Sequence, residues 1–176
     1  MSRLILLIGG VRSGKSALAV RWAAALGGEQ VTFLATARAE DEEMQQRIAA
    51  HQAQRPASWP TIEVPRHVGR VLAQVSHRVA ILDCLTLWVS NTLLEDGEAA
   101  VATEMEELLS AWRTWRGTLL VVTNEVGQGI IPDNALARRY QEALGWANQR
   151  LRQEATKAYY VVAGGVLPLN PPPARP

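Results

Sequence analysis

The sequence predicts an α/β fold in which helices flank a mainly parallel β-sheet. Short apolar runs, each typical of a strand buried on both faces, alternate with stretches whose apolar residues recur every three or four positions. Folds of this class bind their ligands at the carboxyl ends of the strands. The chain has 176 residues, 48% of them hydrophobic, which is enough for one well-buried core. We expect a single domain over residues 1–167 and a tail over residues 168–176, where five of the nine prolines lie.

The N-terminal half predicts four strands and three helices. A Gly-Gly pair ends the first strand, and a second such pair stops the helix that follows. Asp41 can cap the second helix, which Pro56 ends, and Pro60 and Pro65 bound the short third strand. We expect strands at residues 4–8, 31–36, 61–64 and 79–83, and helices at about 15–26, 42–55 and 68–75.

The C-terminal half predicts two further helices and two further strands. Apolar residues keep a helical period from Val101 until Gly117, and a strand at residues 119–123 follows. A glycine-rich loop, VGQGIIP, leads through Asp133 into a helix with one apolar stripe. The last strand is expected at residues 158–163. The order of the strands in the sheet does not follow from these patterns.

Charge and composition exclude several classes of partner. The net charge is +1, from 18 basic and 17 acidic residues, so bulk electrostatics favour neither nucleic acid nor a membrane surface. Glycines end the N-terminal apolar run where a secretory signal would continue, and no apolar segment approaches the roughly 18 residues of a membrane span. One cysteine, Cys84, excludes an internal disulfide and fits a reducing compartment. We therefore expect a cytoplasmic protein without membrane insertion or nucleic-acid binding.

The stretch GGVRSGKS, residues 9–16, fits the phosphate-binding pattern G-x-x-x-x-G-K-[ST] at every position. It lies between a predicted strand and a predicted helix, which is the context that this motif requires. Its backbone N–H groups can point at phosphate oxygens, Lys15 can reach the β- and γ-phosphates, and Ser16 can ligate Mg²⁺. A glycine-rich turn that carries Lys-Ser by chance is the weaker alternative. The motif predicts a P-loop nucleotide-binding domain.

Asp83, at the end of the apolar run VAILD, is the candidate acid for the magnesium site. We expect its strand to lie beside the P-loop strand, so that the carboxylate meets the phosphates; the alternative is that Asp83 caps the next helix. A regulatory GTPase would carry N-K-x-D and D-x-x-G, and neither occurs. A small-molecule kinase or a nucleotidyltransferase is therefore favoured over a switch protein.

His51 is the candidate nucleophile among three histidines. Neutral imidazole attacks phosphorus well near neutral pH. Arg47 and Arg55 lie one helical turn before and after His51, where they could surround a phosphate with positive charge. A lone helical histidine is more often solvated or packed than catalytic, and His67 and His77 are assigned to that ordinary role.

Several blocks outside the P-loop indicate a family. In chain order they are ATA at residues 35–37, DEEMQQRIAAHQAQRP, TIEVP, LDCLTLWVSN and TNEVGQGIIP. Together with GGVRSGKS, the chain resembles, from about residue 3 to residue 165, the bifunctional adenosylcobinamide kinase and adenosylcobinamide-phosphate guanylyltransferase family of cobalamin biosynthesis. The proline-rich tail is unmatched.

The resemblance implies two reactions at one nucleotide site. A nucleoside triphosphate phosphorylates the aminopropanol hydroxyl of adenosylcobinamide, and GMP is then transferred from GTP, by way of the histidine, to give adenosylcobinamide-GDP. The resemblance implies His51 and Lys15 as catalytic residues, and Ser16 and Asp83 as ligands of Mg²⁺, which accompanies GTP or ATP. The implied nucleotide contacts are Gly9, Gly10, Val11, Arg12, Ser13, Gly14, Lys15, Ser16, Ala35, Thr36, Ala37, Gln52, Ala53, Gln54, Arg55, Glu63 and Asp83.

Some roles stay open at this point. A carboxylate can accept hydrogen bonds from guanine N1–H and the 2-amino group, so Glu63 or Asp83 reads the base; without the resemblance Glu63 is an exposed strand residue. Asn124 and Glu125 could hold water, metal or substrate, or could cap the following turn. The resemblance also implies a RecA-like sheet and a homotrimer, in which a site shared between subunits would bring His51 to the P-loop. The alternatives are a P-loop kinase without a covalent step and a non-enzymatic nucleotide-binding module.

Overall fold

In the computed structural model, which describes residues 2–170, six helices flank one seven-stranded sheet. The strands are β1 (Arg3–Gly9), β2 (Val31–Ala35), β3 (Thr61–Glu63), β4 (Val79–Asp83), β5 (Thr118–Asn124), β6 (Lys157–Val162) and β7 (Gly165–Pro168). The helices are α1 (Lys15–Gly27), α2 (Glu42–Ala53), α3 (Val68–Leu72), α4 (Leu85–Asp96), α5 (Glu98–Trp115) and α6 (Ala135–Glu154). The predicted α/β class is confirmed.

The strand order across the sheet is β3-β2-β4-β5-β1-β6-β7. Strands β1 to β6 run parallel to one another, and β7 runs antiparallel to β6. The expectation that the strand of Asp83 lies beside the P-loop strand is wrong, because β5 lies between β1 and β4. Parallel strands nevertheless bring all their carboxyl ends to one edge, where the end of β4 can still reach the P-loop.

The sheet is buried on both faces because its central strands carry continuous apolar runs. In β1, Leu4 and Leu6 pack into one layer, and Ile5 and Leu7 pack into the other. Helices α3 to α6 supply the partner side chains of the first layer, and α1 supplies those of the second. The core therefore holds the carboxyl edge of the sheet as a rigid platform.

A buried carboxylate ties α3, α4 and α5 together. Glu104 of α5 is 3% exposed and accepts hydrogen bonds from Arg66 (2.6 Å to Nη2), the His67 amide (2.9 Å), Trp88 Nε1 (2.8 Å) and Thr92 Oγ1 (3.3 Å). Burial alone would raise the pKa of Glu104, but the hydrogen bonds from His67, Arg66 and Trp88 outweigh burial and hold that pKa below its usual value. Glu104 is therefore ionised and fully partnered.

The structure adds two elements that the sequence patterns did not indicate. Helix α4 begins at Leu85 with Cys84 as its N-cap, and no side chain caps it. After the strand expected to be the last, Ala163 and Gly164 turn the chain with positive φ values of 50° and 76°, and β7 follows. Helix α5 also begins before Val101, at Glu98, and α3 ends at Leu72.

The ends of the chain bear on two expectations. The tail residues 171–176 lie outside the described residues, so the domain boundary stays a prediction. Arg152 donates to the carbonyl oxygens of Leu169 and Asn170, which holds the segment after β7 against α6. Within residues 2–170, every helix is too short or too polar to cross a membrane.

Candidate nucleotide-binding and transfer site

Two glycines let the P-loop take its path from β1 to α1. A Cβ on Gly9 would lie 2.1 Å from the carbonyl oxygen of Val161 and 2.9 Å from Ser13 Oγ, so only glycine fits there. Gly14 has a φ of 99°, in the left-handed region, where it forms the N-cap of α1. The amide of Gly164 donates to the Ser13 carbonyl over 3.0 Å, so the loop is also tied to the turn after β6. The predicted loop is present as a formed turn before a helix N-terminus.

Lys15 is held inside this loop. Its ammonium Nζ is 2.5 Å from the Gly10 carbonyl oxygen and 3.3 Å from Ser13 Oγ, and the residue is 6% exposed. Burial lowers the pKa of Lys15, while the nearby Asp83 and Cys84 act in the opposite direction. A phosphate that entered the loop could replace the carbonyl as the partner of this cation.

Four predicted site residues, Lys15, Ser16, His51 and Arg55, act on the carboxylate of a fifth, Asp83. Burial raises the pKa of Asp83, while a hydrogen bond from Ser16 and the charges of His51, Lys15 and Arg55 oppose the rise. The alternative that Asp83 caps the next helix is not what the structure shows, because Cys84 is the N-cap of α4. Asp83 is instead the acidic centre of a basic cluster.

His51 reaches this cluster from the last turn of α2 in the same chain. Asp41 caps that helix as predicted, since its Oδ1 accepts from the Met44 amide over 2.7 Å. His51 thus acts on the charge of Asp83 within a single chain. The expectation of a site shared between subunits stays a prediction.

Arg55 adds a buried cation with an unused donor. Its guanidinium carbon lies 3.6 Å from the centroid of the Phe33 ring, and the residue is 9% exposed. Among the described residues, no atom accepts a hydrogen bond from its buried Nη1. Burial lowers the pKa of Arg55 and the Asp83 charge raises it. An orphaned buried donor beside a P-loop fits an incoming anion.

Three further nucleotide candidates, Ala37, Gln52 and Glu63, line a cleft of about 340 Å³. Glu63 is exposed at the end of the edge strand β3. The other lining residues are Arg38, Ala39, Gln45, Ile48, Ala49 and Pro65. Glu63, Ala35 and Asp83 lie in register on adjacent strands, so Glu63 and Asp83 are two interstrand spacings, roughly 10 Å, apart. The site thus has a basic compartment and an open compartment side by side.

Other predicted residues have structural partners. Thr36 is fully buried: its hydroxyl donates to the Cys84 carbonyl (2.7 Å) and accepts from the Cys84 amide (2.8 Å). Asn124 Oδ1 accepts from the hydroxyl of Thr86 in α4, whereas Glu125 Oε1 accepts from the Gly127 amide, the turn contact given as the alternative. Val11, Arg12, Ala53 and Gln54 are exposed around the site.

The hydroxyl of Ser16 and the carboxylate of Asp83 fit Mg²⁺. Both are hard oxygen donors, and Ser16 is near enough to Asp83 to oppose the rise in its pKa. Magnesium is usually bound by one or two protein oxygens together with water and substrate phosphates. Within residues 2–170 no group of three His, Cys, Asp or Glu side chains is placed to hold a metal ion by itself.

Comparison with known proteins identifies the family. Residues 5–169 match the family described as cobinamide kinase / cobinamide phosphate guanyltransferase. The chain belongs to this family. It is 41% identical over 170 residues to the bifunctional adenosylcobalamin biosynthesis protein CobP of Pseudomonas aeruginosa, covering 96% of this chain and 98% of the relative. It is 39% identical over 178 residues to CobU of Salmonella typhimurium, covering 92% and 96% of the two chains. The protein is accordingly a transferase of cobalamin biosynthesis.

Solved structures confirm the P-loop NTPase fold. The flagellar accessory protein FlaH of Methanocaldococcus jannaschii superposes with a TM-score of 0.54 at 14% identity, covering 93% of this chain and 74% of FlaH. A solved ATPase domain also gives a TM-score of 0.54, at 11% identity, covering 90% and 69% of the two chains. At such low identity these structures support the fold alone.

Proposed function

We propose that the protein phosphorylates the aminopropanol hydroxyl of adenosylcobinamide and then transfers GMP from GTP to the product through a guanylyl-His51 intermediate. The family supports the substrate class. The convergence of His51, Lys15 and the P-loop on Asp83 within one chain carries the proposal, because one nucleotide could then present its phosphates to both the loop and the imidazole.

In the kinase step, the acceptor hydroxyl oxygen bonds to the γ-phosphorus while the bond from that phosphorus to the β-phosphate oxygen breaks. The nucleoside diphosphate leaves, and the hydroxyl proton passes to solvent. The loop amides and Lys15 hold the charge on the phosphates. Ser16 and Asp83 would hold Mg²⁺, which when bound would supply positive charge to the phosphates.

In the guanylyl transfer, a ring nitrogen of neutral His51 attacks the α-phosphorus of GTP and pyrophosphate leaves. A phosphate oxygen of adenosylcobinamide phosphate then attacks the same phosphorus. The N–P bond breaks, its electron pair returns to His51, and adenosylcobinamide-GDP is released. The orphaned Nη1 of Arg55 is placed to bind charge that develops on the phosphates.

Glu63 is the carboxylate that we assign to the guanine base. Asp83 lies beside Ser16 and near the cations Lys15 and Arg55, which suits phosphate and metal rather than a neutral base. Glu63 is exposed in the open cleft, where its oxygens can accept from guanine N1–H and the 2-amino group. Glu63→Gln should lower GTP affinity and leave ATP affinity unchanged, because an amide must turn a donor towards one of those groups. Equal affinity loss for both nucleotides would contradict the assignment.

We also propose that the protein is located in the cytoplasm and forms a homotrimer. The family resemblance implies the trimer, and light scattering coupled to size-exclusion chromatography measures the mass directly. A monomer of 19.3 kDa would remove the trimer and leave the single-chain site intact.

The decisive experiment incubates the protein with Mg²⁺ and GTP labelled at the α-phosphate. Wild type should form an adduct with the mass of GMP that is labile in acid and stable in alkali, as a phosphoramidate is. His51→Ala should lose the adduct, and His77→Ala, altered before β4 at the opposite edge of the sheet, should keep it. Absence of an adduct in protein that binds GTP would leave a P-loop kinase without a covalent step.

A further inference from the structure

Helix α4 holds two segments of the cleft wall through one side chain. The amide nitrogen of Asn91 donates to the carbonyl oxygen of Thr36 over 3.0 Å and to that of Pro65 over 3.1 Å. Thr36 follows β2 and Pro65 follows β3, so the two acceptors belong to different strand ends. Asn91 therefore bridges the two chain segments that diverge after the edge of the sheet.

Both segments line the cleft. Ala37 lies one residue after the first acceptor, and Glu63 lies two residues before the second. The side chains of β3 are all exposed, and core packing holds this strand through its buried neighbours Trp59 and Val64. After Val64 the segment is held by polar contacts of Pro65 and Arg66 with α4.

A second residue of α4 holds the same segments. Glu95, one helical turn after Asn91, forms ion pairs with Arg38 and with Arg66, the latter at 2.9 Å. Arg38 and Arg66 each lie one or two residues beyond a carbonyl that Asn91 binds. Since the Glu95 pairs are partly exposed, they add less than buried hydrogen bonds would. The principal link is Asn91.

We propose that Asn91 is a positioning residue that sets the width of the base cleft and thereby the preference for guanine. The inference rests on the proposed function, in which Glu63 reads the base. The two side-chain hydrogen bonds of Asn91 go to cleft segments outside the P-loop, and they fix the segment that follows Glu63 relative to the segment that carries Ala37. Hydrogen-bond selection of this kind fails when a partner moves by about an ångström.

Asparagine suits this role because one planar amide supplies two donors. Leucine has a similar size and no donor. Aspartate has nearly the same shape, but its carboxylate would face two carbonyl oxygens, and only its protonated form donates a hydrogen bond. The series Asn91→Leu and Asn91→Asp therefore separates side-chain volume from donor capacity.

The test measures equilibrium binding of GTP and ATP by calorimetry, in a His51→Ala background that removes the covalent step. Asn91→Leu should bind GTP about tenfold more weakly and ATP with unchanged affinity, since two hydrogen bonds to the cleft wall are lost. Ser90→Ala, on the neighbouring position of α4, should match the parent. Asn91→Asp should regain GTP affinity relative to the parent as the pH falls from about 8 to about 5, because protonation restores one donor.

Each outcome decides a different point. Retention of the GTP preference in Asn91→Leu, or an equal loss of GTP and ATP binding, would overturn the role of Asn91 and leave the proposed function standing. A parent protein that binds GTP and ATP equally would overturn base reading by Glu63 and this inference with it. If Asn91→Leu fails to fold, Asn91→Asp tests the same role, and a relative GTP affinity that does not change with pH would overturn it.

Discussion

Replacing Gly9 with alanine should destabilise the protein strongly, whereas replacing its neighbour Gly10 should not. The added Cβ at Gly9 would lie 2.1 Å from the carbonyl oxygen of Val161, and the nearest distance that carbon and oxygen normally tolerate is more than 1 Å longer. Because Gly9 is paired with β5 on one side and β6 on the other, neither backbone can yield without breaking strand hydrogen bonds. A Cβ on Gly10 meets no atom within 4 Å, and its φ is not in the left-handed region.

The expected size follows from these contacts. Overpacking a fixed backbone costs about 1–3 kcal/mol, and a clash with a backbone atom belongs at the upper end, about 3 kcal/mol. For a domain of this size, each kcal/mol lowers the melting temperature by about 2–4 °C, so Gly9→Ala should melt about 6–12 °C below wild type. Gly10→Ala should change the unfolding free energy by less than about 0.5 kcal/mol.

The assay is thermal and urea unfolding without nucleotide, so that an effect of either methyl group on phosphate binding does not enter. Equal melting of Gly9→Ala and wild type would refute the steric reasoning. If Gly10→Ala lowered the unfolding free energy as much as Gly9→Ala, the loop would be destabilised by any added side chain. The contact with Val161 would then not explain the effect at Gly9.

Three further predictions concern the supports of the site. Glu104→Gln should lower the unfolding free energy by about 2 kcal/mol at neutral pH, because charged hydrogen bonds are weakened. The pKa of Glu104 is lower in the folded protein than in the unfolded chain, so the deficit relative to wild type should shrink as the pH falls through that lowered value. Thr36→Val should cost about 2 kcal/mol in urea unfolding, since the amide and carbonyl of Cys84 lose their partner. Asp41→Ala should lower the local stability of α2 by about 1 kcal/mol, because the helix loses its N-cap. Amide hydrogen exchange in α2 should become faster, while the global free energy of unfolding should change little.

Exposed neighbours provide the matched controls for these three variants. Glu106→Gln alters a surface ion pair with Arg150 and should cost less than about 1 kcal/mol at every pH. Thr103→Val and Glu40→Ala lie on the surface and should unfold like wild type. A pH-independent deficit in the Glu104 variant, or unchanged exchange in α2 without its cap, would contradict the corresponding assignment.

Features that depend on neighbouring residues in the chain were predictable from the sequence. The P-loop follows from glycine spacing and from Lys15 at a helix start, and the Asp41 cap follows from a carboxylate three residues before the amide it accepts from. Helix α4 was missed because Cys84 supplies no capping side chain and its apolar residues are not confined to one narrow stripe. Strand β7 was missed because it is four residues long and follows a turn in which Ala163 takes a conformation more usual for glycine.

Local turns and helix caps can thus be predicted from the sequence, since backbone sterics and capping act over a few residues. The meeting of His51 with Asp83 comes from the fold, because it depends on where the β2–β3 crossover lies and on β5 entering between β1 and β4. The same holds for the proposal that Glu63, and not Asp83, reads guanine. Asp83 lies near Lys15 and Arg55, Glu63 is exposed in the cleft, and neither environment exists before the strands are ordered.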